Sequence, residues 1–206
     1  MPNRISISSA IDARFEVYEW RNALAILRGV HPEEWEDIVA VTSSFELRHM
    51  QIAAKGRGNK SEMAGILDGG LYKRRWVEKA FDTKIVVDGV EHPSPTHSVD
   101  CFKNGVALEV EWNNKDPFYD RDLNNFRLLY ELRVIDVGVI ITRSTALRKW
   151  LHANHAKFGK KPSTFGQATT HDEKLMPKIK GGGSGGCPVL VFSIKPEAYI
   201  DDQAGA

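Results

Sequence analysis

The sequence is poor in cysteine, in uninterrupted apolar stretches and in net charge, and each shortage excludes something. Its two cysteines, Cys101 and Cys187, stand far apart in a chain of 206 residues. They have neither the paired spacing of a zinc site nor the density of a disulfide scaffold, and they read as reduced thiols of a cytoplasmic protein. The seven histidines likewise show no zinc spacing. No apolar run reaches the roughly 18 residues that a membrane span needs, and the first twenty residues contain no secretory-type apolar segment. What is present, 42% hydrophobic and 27% charged residues, is an ordinary globular composition. The length suits a single domain with a core that needs no covalent staples.

The net charge of +1 hides an uneven distribution. Lys55 to Lys79 carries seven basic residues against three acids, and Lys157 to Lys180 carries six against two. Ile11 to Ile38 carries seven acids against three bases. The two basic stretches are either the rim of a polyanion-binding surface or ordinary solvated faces.

The order of elements reads as α/β. A helical N-terminal part is expected, with one helix over Arg14–Val30 and another starting at His31-Pro32-Glu33-Glu34, where proline and acids suit a first turn. After the glycine-containing stretch 55–60, Ser61 can cap a helix running to about Lys79. Strands follow at 83–87, 98–102 and 106–112. Then come a helix over Arg121–Leu132, an apolar strand at 134–141 of the type buried on both faces, and a helix over 146–155. A loop-rich stretch at 156–187, with glycines from Gly181 to Gly186, leads to a last strand at 188–194. These elements form a central mixed sheet flanked by helices.

The segment richest in chemistry is 98–112. Asn104-Gly105 is a strong signal for a two-residue hairpin turn, since both residues tolerate the positive φ it requires. With these two as the loop, Cys101 faces Leu108 and Asp100 faces Glu109. Alternation then puts Val99, Cys101, Leu108, Val110 and Trp112 on an apolar face, and Ser98, Asp100, Glu109 and Glu111 on the other. Opposed carboxylates destabilise a sheet. Carboxylate oxygens are also the preferred ligands of Mg²⁺, which would remove the conflict. An exposed acidic face with tolerated repulsion is the alternative, and paired carboxylates also suit glycoside hydrolysis.

The Asp followed nine residues later by Glu-Val-Glu resembles the PD-(D/E)XK nuclease pattern, with Glu111 where lysine is usual. The wider stretch 99–143, VDCFKNGVALEVEWNNKDPFYDRDLNNFRLLYELRVIDVGVIITR, resembles the core of the BglII/BstYI-like type II restriction endonucleases. The resemblance covers about residues 55–195 and is strongest from 98 to 143. The whole chain, 1–206, reads as one domain of that fold, with 1–54 as the helical part, 55–155 as a catalytic core, 156–187 as a DNA-reading region and 188–195 as the last strand. The resemblance implies Asp100 and Glu109 as Mg²⁺ ligands with the Val110 carbonyl, and Glu111 as the residue that orients or deprotonates water. A further polar or acidic residue from the preceding helix is expected at Glu78, with Lys79 or Glu62 as alternatives. Candidate contacts to double-stranded DNA are Asn113, Asn114 and Lys115 after the catalytic strand, Arg143 and Ser144, and Arg57 and Lys60. The 156–187 region adds Lys160, Lys161, Gln167, Thr169, Thr170, His171 and Lys174. A homodimer reading a palindrome and a partner DNA methyltransferase are implied as well. A repair nuclease of the same fold, or a non-catalytic DNA-binding relative, fits the same residues.

Overall fold

The computed structural model describes residues 2–54, 61–93 and 96–202. Its elements begin with β1 (Asn3–Ile5), α1 (Ser9–Asp12), β2 (Phe15–Trp20), α2 (Ala23–Val30), α3 (Pro32–Ser43), β3 (Leu47–Arg48), α4 (His49–Ala53) and α5 (Glu62–Tyr72). The chain continues through β4 (Val77–Lys79), β5 (Lys84–Val87), β6 (Val90–Pro93), β7 (Val99–Lys103), β8 (Val106–Glu111) and α6 (Pro117–Glu131). It ends with β9 (Val137–Arg143), α7 (Thr145–Ala153), α8 (Asp172–Lys180), β10 (Val189–Ile194) and β11 (Tyr199–Ile200).

Seven strands form one sheet in the order β1-β2-β10-β9-β8-β7-β4. β8, β9 and β10 are parallel, and the outer pairs are antiparallel. Helices α1–α5 and α7 pack on one face, and α6 and α8 on the other. Burial on both faces explains the apolar runs of the central strands: in β10, Leu190 and Phe192 join the first core while Val189 and Val191 join the second. Among the described residues, no helix is long and apolar enough to cross a membrane.

Three expectations need correction. Phe15–Trp20 is a strand, not the start of a helix. Its buried residues, Phe15 and Val17, alternate with less buried Glu16 and Tyr18, a period of two, and the helix begins only at Ala23. The helix capped by Ser61 ends at Tyr72 rather than Lys79; Arg75 takes a positive φ of 68° and the chain turns into the edge strand β4. The stretch 156–187 contains 3-10 turns at His155–Phe158 and Pro162–Phe165 and the whole of α8, which buries Leu175 and Ile179 against α6. The glycine run after α8 packs in part against α6. Added β-carbons at Gly183 and Gly185 would meet Leu123 and Arg127 of α6, the latter at 2.5 Å.

Gly138 in the middle of β9 is demanded by the same layer. A β-carbon there would lie 2.3 Å from the buried ring of Phe126 on α6. Gly138→Ala is therefore expected to lower stability by about 1–3 kcal/mol or more, with the ring unable to retreat in a packed core. A urea melt of the variant beside the wild type measures it; equal midpoints would mean that α6 sits farther from the sheet.

Candidate active site

The hairpin closes as its turn residues dictate. Asn104 and Gly105 take φ of 42° and 82°, and the ladder pairs Lys103 with Val106, Phe102 with Ala107 and Cys101 with Leu108. The regular ladder stops there. Three residues of the edge strand β4 oppose four of β7, from Val77↔Phe102 to Lys79↔Val99, so β7 carries an extra residue around Asp100. A bulge of this kind re-aims side chains. Val99, expected beside Cys101, instead joins the core under α6, whereas Cys101 stays in the other core.

The bulge sets the position of the first acid. The Asp100 N–H donates to Glu109 Oε2 at 3.3 Å, and the Val110 N–H donates to Asp100 Oδ2 at 3.1 Å. Glu109 and Glu111 lie on the β8 face that α6 covers, and both are almost fully buried. A fourth acid completes the group. Asp122, on the second turn of α6, is fully buried and within hydrogen-bonding reach of Glu111. Arg121 beside it donates from Nη2 to Asp122 Oδ1 at 2.8 Å and to Glu111 Oε1 at 3.4 Å. Asn114 Nδ2 donates to the other Glu111 oxygen at 2.7 Å.

Burial raises the pKa of all three enclosed acids. Glu109 is pushed well up by loss of water and then by the charges of Asp122 and Asp100. Glu111 is pushed to about 9, chiefly by burial and Asp122, against the help of Asn114 and Arg121. Asp122 rises to about 6 through burial, opposed by Arg121. Glu109 Oε1 and Asp122 Oδ2 are buried without a hydrogen-bond donor. Hard, donor-starved carboxylate oxygens fit a divalent cation such as Mg²⁺. As they stand, however, no group of three acidic, histidine or cysteine side chains among the described residues is arranged to hold a metal. Asp100 is turned onto the Val110 amide and Glu111 onto Asn114 and Arg121, so ion binding requires these carboxylates to exchange protein donors for the cation.

Asp100 and Glu111 open onto a cleft of about 950 Å³ between α4, α5, the start of α6 and the 160–165 segment. Asp100, Val110, Glu111, Asn113, Asn114, Arg121 and Lys160 line it. A family model described as restriction endonuclease BglII/BglIII matches residues 15–194. The chain belongs to this restriction endonuclease family. A comparison with curated proteins found no match.

In this restriction endonuclease the remaining expected residues fall into distinct places. Glu78 stands on the exposed strand β4, lines the same cleft as Asp100 and Glu111, and lies across the ladder from the bulge at Asp100. The helix that precedes the hairpin in space is α5, and it presents Glu62 to the cleft. Lys79 lies over the rings of Phe81 and Phe102. Lys115, Lys161 and Gln167 are exposed, and Lys174 is near Asp116 at 3.8 Å. Arg143, Ser144, Thr170 and His171 are buried and turned inward, so they are not offered to a DNA groove. Ser144 caps α7 by accepting from the Leu147 N–H. Arg143 donates to the Thr170 carbonyl and to Thr169 Oγ1, holding the 165–170 segment onto the sheet. That segment is also stitched to the stretch after Glu111, with the Thr170 N–H on the Asn114 carbonyl and the Asp116 N–H on that of Ala168. Arg57 and Lys60 lie outside the described residues.

Asp122 was missed because Asp120-Arg121-Asp122 at the start of a helix reads as capping and surface ion pairing. The available signal was the sheet itself: the acidic face of β8 had to be covered by the next helix. His97 also lines the cleft. Burial and then Arg121 lower its pKa.

Proposed function

We propose that this restriction endonuclease is of type II, hydrolysing phosphodiester bonds of double-stranded DNA at a short palindromic site with Mg²⁺. The observation that carries this reading is the group Asp100, Glu109, Glu111 and Asp122: Asp100 and Glu111 line a large cleft, and Glu109 and Asp122 are buried behind them with oxygens that lack a donor. Asp100, Glu109 and the Val110 carbonyl would hold the ion, which when bound polarises a phosphoryl oxygen and acidifies a water. Glu111 orients the attacking water and accepts its proton, its carboxylate steered by Asn114 and Arg121. Arg121 supplies the positive charge that Glu111, standing where lysine is usual, does not. Asn113, Asn114, Lys160 and exposed Lys115, Lys161 and Gln167 meet phosphates and bases. A homodimer matches the palindrome, each subunit cutting one strand. The enzyme works in the cytoplasm, where a cognate methyltransferase protects host DNA.

Plasmid DNA incubated with the protein and Mg²⁺ should yield discrete fragments, and EDTA should stop their appearance. Cleavage confined to branched junctions would move the reading to a repair nuclease. Binding in Ca²⁺ with no cutting in Mg²⁺ would leave a non-catalytic DNA-binding protein.

A further inference from the structure

A second cavity, of about 320 Å³, lies between α7 and the turn Pro162–Phe165. Arg148, Lys149, His152 and His155 line it together with Ala153 and Pro162, and no acid does. Lys149 and His152 are exposed. Arg148 is 7% exposed, its Nε is buried without a partner among the described residues, and its Nη1 donates to the Phe165 carbonyl at a long 3.4 Å. Beneath it lies Arg143, fully buried, also with an unpartnered nitrogen, its pKa lowered to about 9 by burial, with Arg148 adding repulsion. Neither guanidinium stands within ion-pair distance of a carboxylate among the described residues. Burying cations without a counter-charge is costly. A cation is favoured at a helix C-terminus, which accounts for His152 in the last turn of α7. It does not account for a buried Arg148 nitrogen with nothing to donate to.

We infer that this cavity is a phosphate-binding site, and that it takes a backbone phosphate of DNA outside the scissile centre. The inference rests on the nuclease reading. The turn 162–165 is the wall shared by the two cavities: Thr164 and Phe165 line the catalytic cleft and Pro162 lines the basic one. A duplex seated in the cleft and continuing over that turn brings its backbone to the cationic side. Arg148 then gains the acceptor it lacks, with Lys149 and His152 at the mouth.

The test measures binding of linear plasmid DNA in Ca²⁺ across about 50–200 mM salt for the wild type, Lys149→Glu and His152→Gln at the exposed rim, and Arg148→Gln with its fold checked by circular dichroism. Lys149→Glu should weaken binding several-fold and reduce the slope of log K against log salt by about 0.9, one phosphate contact. In parallel, inorganic phosphate at constant ionic strength should raise the melting temperature of the wild type and not of Lys149→Glu. A wild type that cuts DNA while the rim variants keep its salt slope would overturn the assignment to DNA. So would a phosphate effect that the variants abolish with the slope unmoved, since the site would then serve a free anion. A wild type that neither binds nor cuts DNA would sink the nuclease reading. The phosphate arm would then stand alone, and a missing melting shift would remove the anion site too.

Discussion

Asp100→Asn and Glu109→Ala should each cut the rate of DNA hydrolysis by roughly 10³ or more, while binding to DNA in Ca²⁺ persists within a few-fold. The magnitude follows from what the two carboxylates are asked to do. Charge neutralisation by a held cation contributes several kcal/mol at the transition state, and each 1.4 kcal/mol or so is a factor of ten. Affinity, in contrast, rests on many phosphate and base contacts spread along the cleft. Asp100→Asn also keeps an acceptor for the Val110 N–H, which now reaches Asp100 Oδ2 at 3.1 Å, so the bulge should survive. Glu109→Ala removes a buried acid with an unsatisfied oxygen but also the acceptor of the Asp100 N–H, so its fold is checked by circular dichroism beside the binding assay. Single-turnover cleavage beside a Ca²⁺ binding isotherm separates the two effects. Either variant cutting at the wild-type rate would remove these residues from the chemistry.

Asp122 should behave differently. It bonds Arg121 and reaches Glu111, and it is read as positioning the groups around the ion, so Asp122→Asn should cost about 10–100-fold, in the range of groups that orient a metal site. The distinguishing sign is metal dependence, with more Mg²⁺ needed for half-maximal rate. A purely structural role would lower stability and leave that requirement alone.

How much of this was legible beforehand depended on how local the signal was. Asn104-Gly105 encodes its own turn, and the turn fixes the register that pairs Cys101 with Leu108. The buried strands β9 and β10 are written in continuous apolar runs. The bulge at Asp100 is not local: it is defined against β4, an edge strand that a helix-like pattern disguised. Val99 therefore changed sides without any mark in the hairpin sequence. Arg143 shows the same gap from the other direction. An arginine after an apolar strand reads as a surface contact, and only the 165–170 segment folding over it, between the rings of Trp112 and Phe165, makes it interior. Phe15–Trp20 failed because phenylalanine, valine and tyrosine fit two periods in so short a window, and pairing with β10 decided for the strand.

The enclosed acids also predict how stability should respond to pH and metal. Glu109, Glu111 and Asp122 all have pKa values raised on folding, with Glu111 moving from 4.5 to about 9. A raised acid binds more protons in the folded state than in the unfolded one, so stability falls as pH rises between the two values. The metal-free protein should thus be firmest near pH 5 and lose stability steadily toward pH 9. The three groups share one repulsion, so their shifts do not add, and the loss should be of the order of several kcal/mol. For a chain of this size that is on the order of 10 °C in melting temperature. A bound divalent cation competes with those protons for the same oxygens. Ca²⁺ or Mg²⁺ should therefore raise the melting temperature little at pH 5 and most at pH 8 to 9, flattening the decline. Thermal denaturation in EDTA and in Ca²⁺ across this range tests it without reference to cleavage. A metal-free profile that stays flat or rises with pH would mean that the carboxylates are already charged and satisfied in the fold. They would then have no vacancy for a cation to fill, and Mg²⁺ would have to be brought in with the DNA phosphate rather than held by the protein alone.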